Sequence, residues 1–93
     1  MTPHEFETAL LADHYSTLTT VIRPSGYILG EHQHPFDACA LITAGDITLT
    51  VAGISRTYGA GDIFRLAAAT AHFESAGPAG VTYLVGRREV LTS

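Results

Sequence analysis

Residues 26–34 read GYILGEHQH, a run that begins at the end of a Pro-Ser-Gly turn and is stopped by Pro35. The run predicts a β-strand over Tyr27 to His34, because turn-forming residues bound it on both sides. Successive side chains of a strand point to opposite faces, so His32 and His34 project from the same face. Two imidazoles placed in this way can share one metal ion, and imidazole suits several transition metals.

The chain after this run also reads as short strands separated by turns. Ile47 to Val51 alternates strictly between apolar and polar residues, and Ala38 to Thr43 is apolar on both faces, which is typical of a strand covered on both sides. The other predicted strands are Tyr15 to Arg23, Ser55 to Tyr58, Ile63 to Leu66, His72 to Ser75 and Val81 to Arg87, with turns at Gly45-Asp46 and Ala76 to Gly80. About eight short strands with frequent turns predict an antiparallel sandwich or barrel.

The first residues of the chain predict a short helix. Thr2-Pro3-His4-Glu5 places a threonine at the N-cap, a proline at the first helical position and a glutamate three residues after the cap. Phe6 and Leu10 then fall on one face, and we expect the helix to end near Asp13.

Composition and charge narrow the class of protein. The 93 residues are 46% apolar and 15% charged, and five arginines with nine acids give a net charge of −4. The arginines are scattered, so we expect no nucleic-acid partner, and no apolar run reaches the ~18 residues of a membrane span. Cys39 is the one cysteine, and the start of the chain is acidic and lacks a signal-peptide pattern. We therefore expect a single cytoplasmic domain over residues 1–93, with the helix over 1–13 and the barrel over 15–88.

Two segments of the sequence resemble the conserved motifs of the cupin superfamily. In the first, Gly26 is followed by His32 and His34, with Gly45 eleven residues after His34. In the second, the run GDIFRL begins at Gly61, and His72 lies eleven residues after that glycine. The resemblance implies an all-β double-stranded β-helix, also called a jelly-roll barrel, of the small single-domain type.

The resemblance also implies a mononuclear metal site. It assigns His32, His34 and His72 as ligands of one divalent transition metal, namely iron, zinc, nickel or manganese. The glutamate or glutamine that follows the second histidine of the first motif by four residues is replaced here by Ala38. A site with three histidine ligands keeps coordination positions open for water or a ligand, as catalytic sites do.

Other residues are candidates for this site. Asp37 and Cys39 flank Ala38 and should face away from the metal unless a bulge turns one of them inward. Glu74 lies two residues after His72, so it should share the inward face and is the candidate acid–base group. It is also a candidate for contact with the ligand.

Aromatic residues are candidates either for contact with the ligand or for the core of the barrel. Tyr27 and Phe64 are candidates for substrate contact, although both, like Tyr58 and Phe73, are of a type that more often fills the core of a barrel.

Two functions remain open at the level of the sequence. One is a metal-dependent enzyme, of oxygenase or isomerase type, that acts on a small polar or anionic molecule. The other is a non-catalytic cupin that senses or binds a small ligand, with or without a metal. The three-histidine cupins that this chain resembles include thiol dioxygenases, to which Cys39 lends slight support. We also expect a homodimer, because a barrel this small exposes strand edges that can pair.

Overall fold

β-strands make up most of the molecule. The computed structural model describes residues 1–90, and within that range the elements are helix α1 followed by strands β1 to β6. Their bounds are α1 Pro3–Ala12, β1 Thr19–Arg23, β2 Ile28–His32, β3 Phe36–Val51, β4 Ile54–Gly59, β5 Ile63–Leu66 and β6 His72–Glu89. No helix within residues 1–90 is long and apolar enough to cross a membrane.

Two long antiparallel strands, β3 and β6, form the frame of the fold. They pair from Phe36 opposite Glu89 to Thr50 opposite Phe73. Strands β1 and β2 add to the free side of β6, and β4 and β5 add to the free side of β3. The prediction of an all-β jelly-roll with a short N-terminal helix is confirmed.

The number of separate strands was predicted incorrectly. Gly45-Asp46 and Ala76 to Gly80 were expected to be turns, but the first lies within β3 and the second within β6. Gly45 has a φ of +70° beside irregularities in the register of β3 on β6. A Cβ atom at Gly45 would collide with the carbonyl group of Gly80, so glycine allows close backbone approach at a bulge.

Helix α1 begins and ends as the sequence predicts. The Thr2 hydroxyl accepts a hydrogen bond from the Glu5 N–H at 3.1 Å, and the Glu5 carboxylate accepts one from the Thr2 N–H at 2.8 Å. Phe6 and Leu10 are buried against a small cluster that includes Cys39. The segment from Tyr15, predicted to start a strand, instead packs under this helix before β1 begins at Thr19.

The main core lies between the inward faces of the strands. Its buried members are Ala38, Ala40, Ile42, Ile47, Leu49, Phe64, Leu66, Val81 and Tyr83. Phe73 was expected to belong to it but is 45% exposed. Its neighbours His72 and Glu74 occupy the inward positions of β6, so alternation along the strand turns Phe73 outward.

Candidate metal centre

The three predicted histidines meet at a cavity of about 150 Å³ between the strands. Each can offer a ring nitrogen, and these nitrogens lie within 4.8 Å of one another. The ring centroids of His32 and His72 are 4.1 Å apart, and His34 lies 5.0 Å from His32 and 5.4 Å from His72. The structure therefore brings the three histidines together.

Strand pairing explains how residues so distant in sequence converge. His32 is the last residue of β2 and lies opposite His72, the first residue of β6, after an irregularity in the register. His34 follows in the link between β2 and β3, two residues beyond His32. The link from β5 to β6 is joined to it directly, since the Ala69 N–H donates to the His34 carbonyl oxygen at 2.8 Å.

Backbone carbonyl groups orient two of the rings. The Nδ1 atom of His32 lies 2.8 Å from the Gly30 oxygen, and that of His72 lies 2.9 Å from the Thr70 oxygen. A carbonyl oxygen can only accept, so each Nδ1 must carry the proton of its ring. The Nε2 atom of each ring is left with a free lone pair, which is the arrangement of a histidine held ready for a metal.

The Nε2 atom of His72 provides a test of whether the residues fit a metal ion. His72 is 1% exposed, and its Nε2 atom is buried without a hydrogen-bond partner among residues 1–90. The nearest carboxylate oxygen, Oε2 of Glu74, is 3.7 Å away, which is too far for a hydrogen bond. A buried lone pair without a partner is costly, and a cation bound to the three rings would satisfy it.

His34 is held by stacking on Phe36, with ring centroids 5.0 Å apart and planes 16° from parallel. Burial lowers the pKa of His34 below its ordinary value, and the nearby His32 and His72 lower it further. The ring therefore favours its neutral form, the only form that can ligate a metal.

The residues before His72 are held in place by Asp37. One oxygen of this carboxylate accepts the Ala68 N–H at 2.8 Å, and the other pairs with the Arg88 guanidinium at 2.9 Å. Arg88 also pairs with Asp13 at 3.1 Å. The Ala68 N–H, together with Arg88, holds the pKa of Asp37 below its ordinary value. Asp37 thus faces away from the cavity and positions the link that leads to His72.

Glu74 does face the cavity, as the alternation of β6 predicts. Its side chain is 10% exposed, and its Oε1 atom accepts a hydrogen bond from the Tyr27 hydroxyl at 3.0 Å. Burial and the Glu74 carboxylate raise the pKa of Tyr27. Burial, with Glu74 as the second cause, raises the pKa of Tyr83 to about 12. Both phenols therefore stay protonated and can donate.

The remaining candidate site residues lie on opposite faces of β3 and β5. Ala38 and Phe64 line the cavity, so the position that carries a ligand in the resembling family faces the histidines here as alanine. Cys39 is fully buried on the other side, beneath α1, and burial raises the pKa of its thiol. It is a core residue. Sequence analysis missed Arg23 and Tyr83, which also line the cavity, although alternation along β1 and β6 could have placed them there.

The strand order and the cavity with three histidines define a protein with the cupin fold. No protein-family profile matches the sequence, and no curated protein is significantly similar to it. Solved structures do match. A cupin superfamily protein from Desulfitobacterium hafniense superposes with a TM-score of 0.70 at 18% identity, over 80% of this chain and 67% of the other.

An enzyme is among the similar structures. The DMSP lyase DddQ from Ruegeria pomeroyi has a TM-score of 0.71 at 26% identity, over 83% of this chain but only 40% of the lyase. KdgF from a Halomonas species has a TM-score of 0.66 at 21% identity, over 80% of this chain and 69% of the other. The resemblance to the cupin superfamily is thus confirmed at the level of the fold.

Proposed function

We propose that this protein is a metal-binding cupin whose His32, His34 and His72 hold one divalent transition ion. The observation that carries the proposal is the buried Nε2 atom of His72, which has no hydrogen-bond partner among residues 1–90 and lies beside two other imidazoles. Iron, zinc, nickel and manganese all accept imidazole ligands, so the donor set does not choose among them. Three neutral ligands leave the site open to a small polar or anionic molecule.

We further propose that the site is catalytic, with Glu74 as the acid–base group. When bound, the metal would polarise an oxygen atom of the substrate. The Glu74 carboxylate lies beside the ligand set, at 3.7 Å from His72, and the Tyr27 hydroxyl fixes one of its oxygens. Its other oxygen makes no hydrogen bond within residues 1–90 and can accept or return a proton in general acid–base catalysis. The similar fold of a DMSP lyase supports an enzyme.

The alternative proposal is a cupin that binds the same small ligand without turnover. Its cavity would use the same histidines, and Glu74 would then serve recognition alone. Glu74→Gln separates the two proposals, because it keeps the size of the side chain and the Tyr27 contact but removes the base. An enzyme would lose turnover by about 100-fold or more while keeping ligand affinity within a few-fold. A sensor would show no turnover in either form.

Metal analysis of untagged protein tests the site itself. We expect about one transition metal per chain, and we expect His72→Ala to lose most of it. His14→Ala is the matched control, because His14 is an exposed histidine outside the cavity. Equal loss from both variants, or no metal in the wild-type protein after growth in each of the four metals, would contradict the proposal.

A further inference from the structure

Two arginines add positive charge to the cavity, where the three histidines are neutral ligands. Arg23, at the end of β1, and Arg87, near the end of β6, both line it. Within residues 1–90 neither guanidinium lies within 4.0 Å of a carboxylate, whereas Arg88 pairs with two aspartates. Among the described residues that line the cavity, Glu74 is the acidic one. An anion would balance this charge.

Arg23 is the more constrained of the two arginines. Its guanidinium lies 5.1 Å from the centre of the Tyr27 ring, and its Nε atom is buried without a hydrogen-bond partner. The contact of Nη1 with the Ile22 carbonyl oxygen is long, at 3.5 Å. Arg87, in contrast, is exposed and stacks on Phe36. Arg23 is therefore a cation with a buried donor that nothing in residues 1–90 satisfies.

A chain of short contacts connects Arg23 to the candidate metal ligands. Tyr27 lies beneath the guanidinium, its hydroxyl donates to Glu74, and Glu74 lies 3.7 Å from the Nε2 atom of His72. A ligand held at one end by Arg23 would thus present its other end to Glu74 and the histidines.

We infer that Arg23 is the subsite for the carboxylate group of a small organic acid, an assignment that rests on the proposed use of this cavity for binding. A guanidinium fork matches a carboxylate bidentately. The walls beside it are partly apolar, with Val21, Leu29 and Val85, which favours a hydrocarbon body over an inorganic anion. A cavity of about 150 Å³ suits roughly six non-hydrogen atoms, the size of benzene.

Binding of butanoate to metal-free protein tests the assignment. Butanoate has a carboxylate on a short chain and fits this size, butan-1-ol lacks the charge, and inorganic phosphate lacks the chain. Amide chemical shifts or calorimetry would measure each affinity after treatment with EDTA. We expect butanoate to bind more tightly than either comparison molecule. Phosphate that binds as tightly as butanoate would overturn the assignment to an organic acid.

Arg23→Gln provides the specific variant and Arg56→Gln its matched control. Arg56 also lies over a tyrosine ring, at 5.7 Å from the centre of Tyr58, but it is outside this cavity. We expect Arg23→Gln to weaken butanoate binding about tenfold or more and Arg56→Gln to leave it unchanged. Equal effects of the two variants would overturn the inference. Arg23→Lys keeps the charge and should recover part of the affinity if the glutamine variant folds poorly.

The same variants separate this inference from the proposed metal site. We expect Arg23→Gln to retain the metal content of the wild-type protein, since Arg23 is not a ligand. If the protein does not bind metal but its butanoate binding depends on Arg23, the subsite is supported and the metal proposal is contradicted. If the protein holds its full metal content but Arg23→Gln does not change butanoate affinity, the subsite is contradicted and the metal proposal stands.

Discussion

At the scale of single residues, Ala38 determines the character of the candidate site. It is buried on the cavity wall, at the position where the resembling family has a carboxylate or amide ligand. Three neutral imidazoles leave the whole charge of a divalent ion in place, whereas a glutamate would cancel one unit. The open position and the uncancelled charge both favour anions.

Ala38→Glu should therefore raise metal affinity and weaken the binding of azide to the cobalt-substituted protein. We expect azide affinity to fall roughly tenfold, or ~1.4 kcal/mol, as measured by visible absorbance. Ala44→Glu adds the same charge at an exposed position of β3 and should change neither quantity. Identical spectra for wild type and Ala38→Glu would mean that residue 38 does not reach the metal.

Cys39 carries a prediction of its own, because its neighbours are the apolar residues beneath α1. A buried thiol with a raised pKa reacts slowly, since the thiolate is the reactive form. We expect a thiol reagent to label native protein slowly and urea-denatured protein fast, at equal rates with and without metal. Protection by metal would instead place the thiol at the cavity and contradict its assignment to the core.

At the scale of elements, the sequence predicted faces better than it predicted boundaries. Alternation placed His32, Ala38 and Glu74 on inward faces and Cys39 on an outward one, because strand parity is a local property. The strand predicted over Tyr27 to His34 ends at His32, so His34 reaches the cavity from the link after β2. The continuity of β3 and β6 could not be predicted from the sequence, because Gly45 and the run from Ala76 to Gly80 contain residues that are common in turns. Only the pairing of β3 with β6 shows that these residues form bulges and allow the two backbones to approach closely.

The hydrogen bonds that hold the β5–β6 link also could not be predicted from the sequence. The link is rich in alanine, and Ala69 has a φ of +63°. Its order comes from hydrogen bonds to His34 and Asp37, which lie more than thirty residues earlier. Such partners are visible only once the fold has brought the segments together.

Asp37→Asn should destabilise the protein in a pH-dependent way. Because the pKa of Asp37 is lowered in the folded state, its contribution is present above the unfolded pKa of about 3.9 and is lost as pH falls through the folded value. Urea denaturation should show wild type more stable than Asp37→Asn at pH 6, with a smaller difference at pH 3. A constant difference would argue against the ion pair with Arg88. We also expect weaker metal binding by this variant at pH 7, because the link to His72 loosens.

At the scale of the whole molecule, metal binding should appear as added stability. Metal at a hundredfold excess over its dissociation constant adds ~2.7 kcal/mol, which corresponds to roughly 10–20 °C in the melting temperature of a domain this size. His72→Ala should show almost none of this rise, and His14→Ala should show all of it. The comparison of each variant with and without metal removes the effect of the substitution on the apoprotein.

A homodimer is the expected assembly. Ile28 and Phe73 are 77% and 45% exposed, and the adjacent outward side chains of β3 and β4 are threonine and serine, joined by the Thr48–Thr57 bond at 2.8 Å. The side chains named here carry no charge, and we propose that this face contacts the same face of a second copy. Sedimentation should give twice the 9.9 kDa of the chain. Phe73→Glu should yield monomers, while Ile54→Glu, at the start of β4, should not. A wild-type monomer at high concentration would contradict the prediction.

The pairing of β3 with β6 also sets how the chain must fold. The two strands are separated in sequence by β4 and β5, so their contacts close long loops, and such topologies fold in milliseconds to seconds. Two of the histidines lie in one short segment, but His72 joins them only after this closure. A metal that needs all three can act only on the native state, so it should slow unfolding and leave the folding rate almost unchanged. In a cell, the ion would lengthen the time for which each molecule stays folded and would leave the rate of folding almost unchanged.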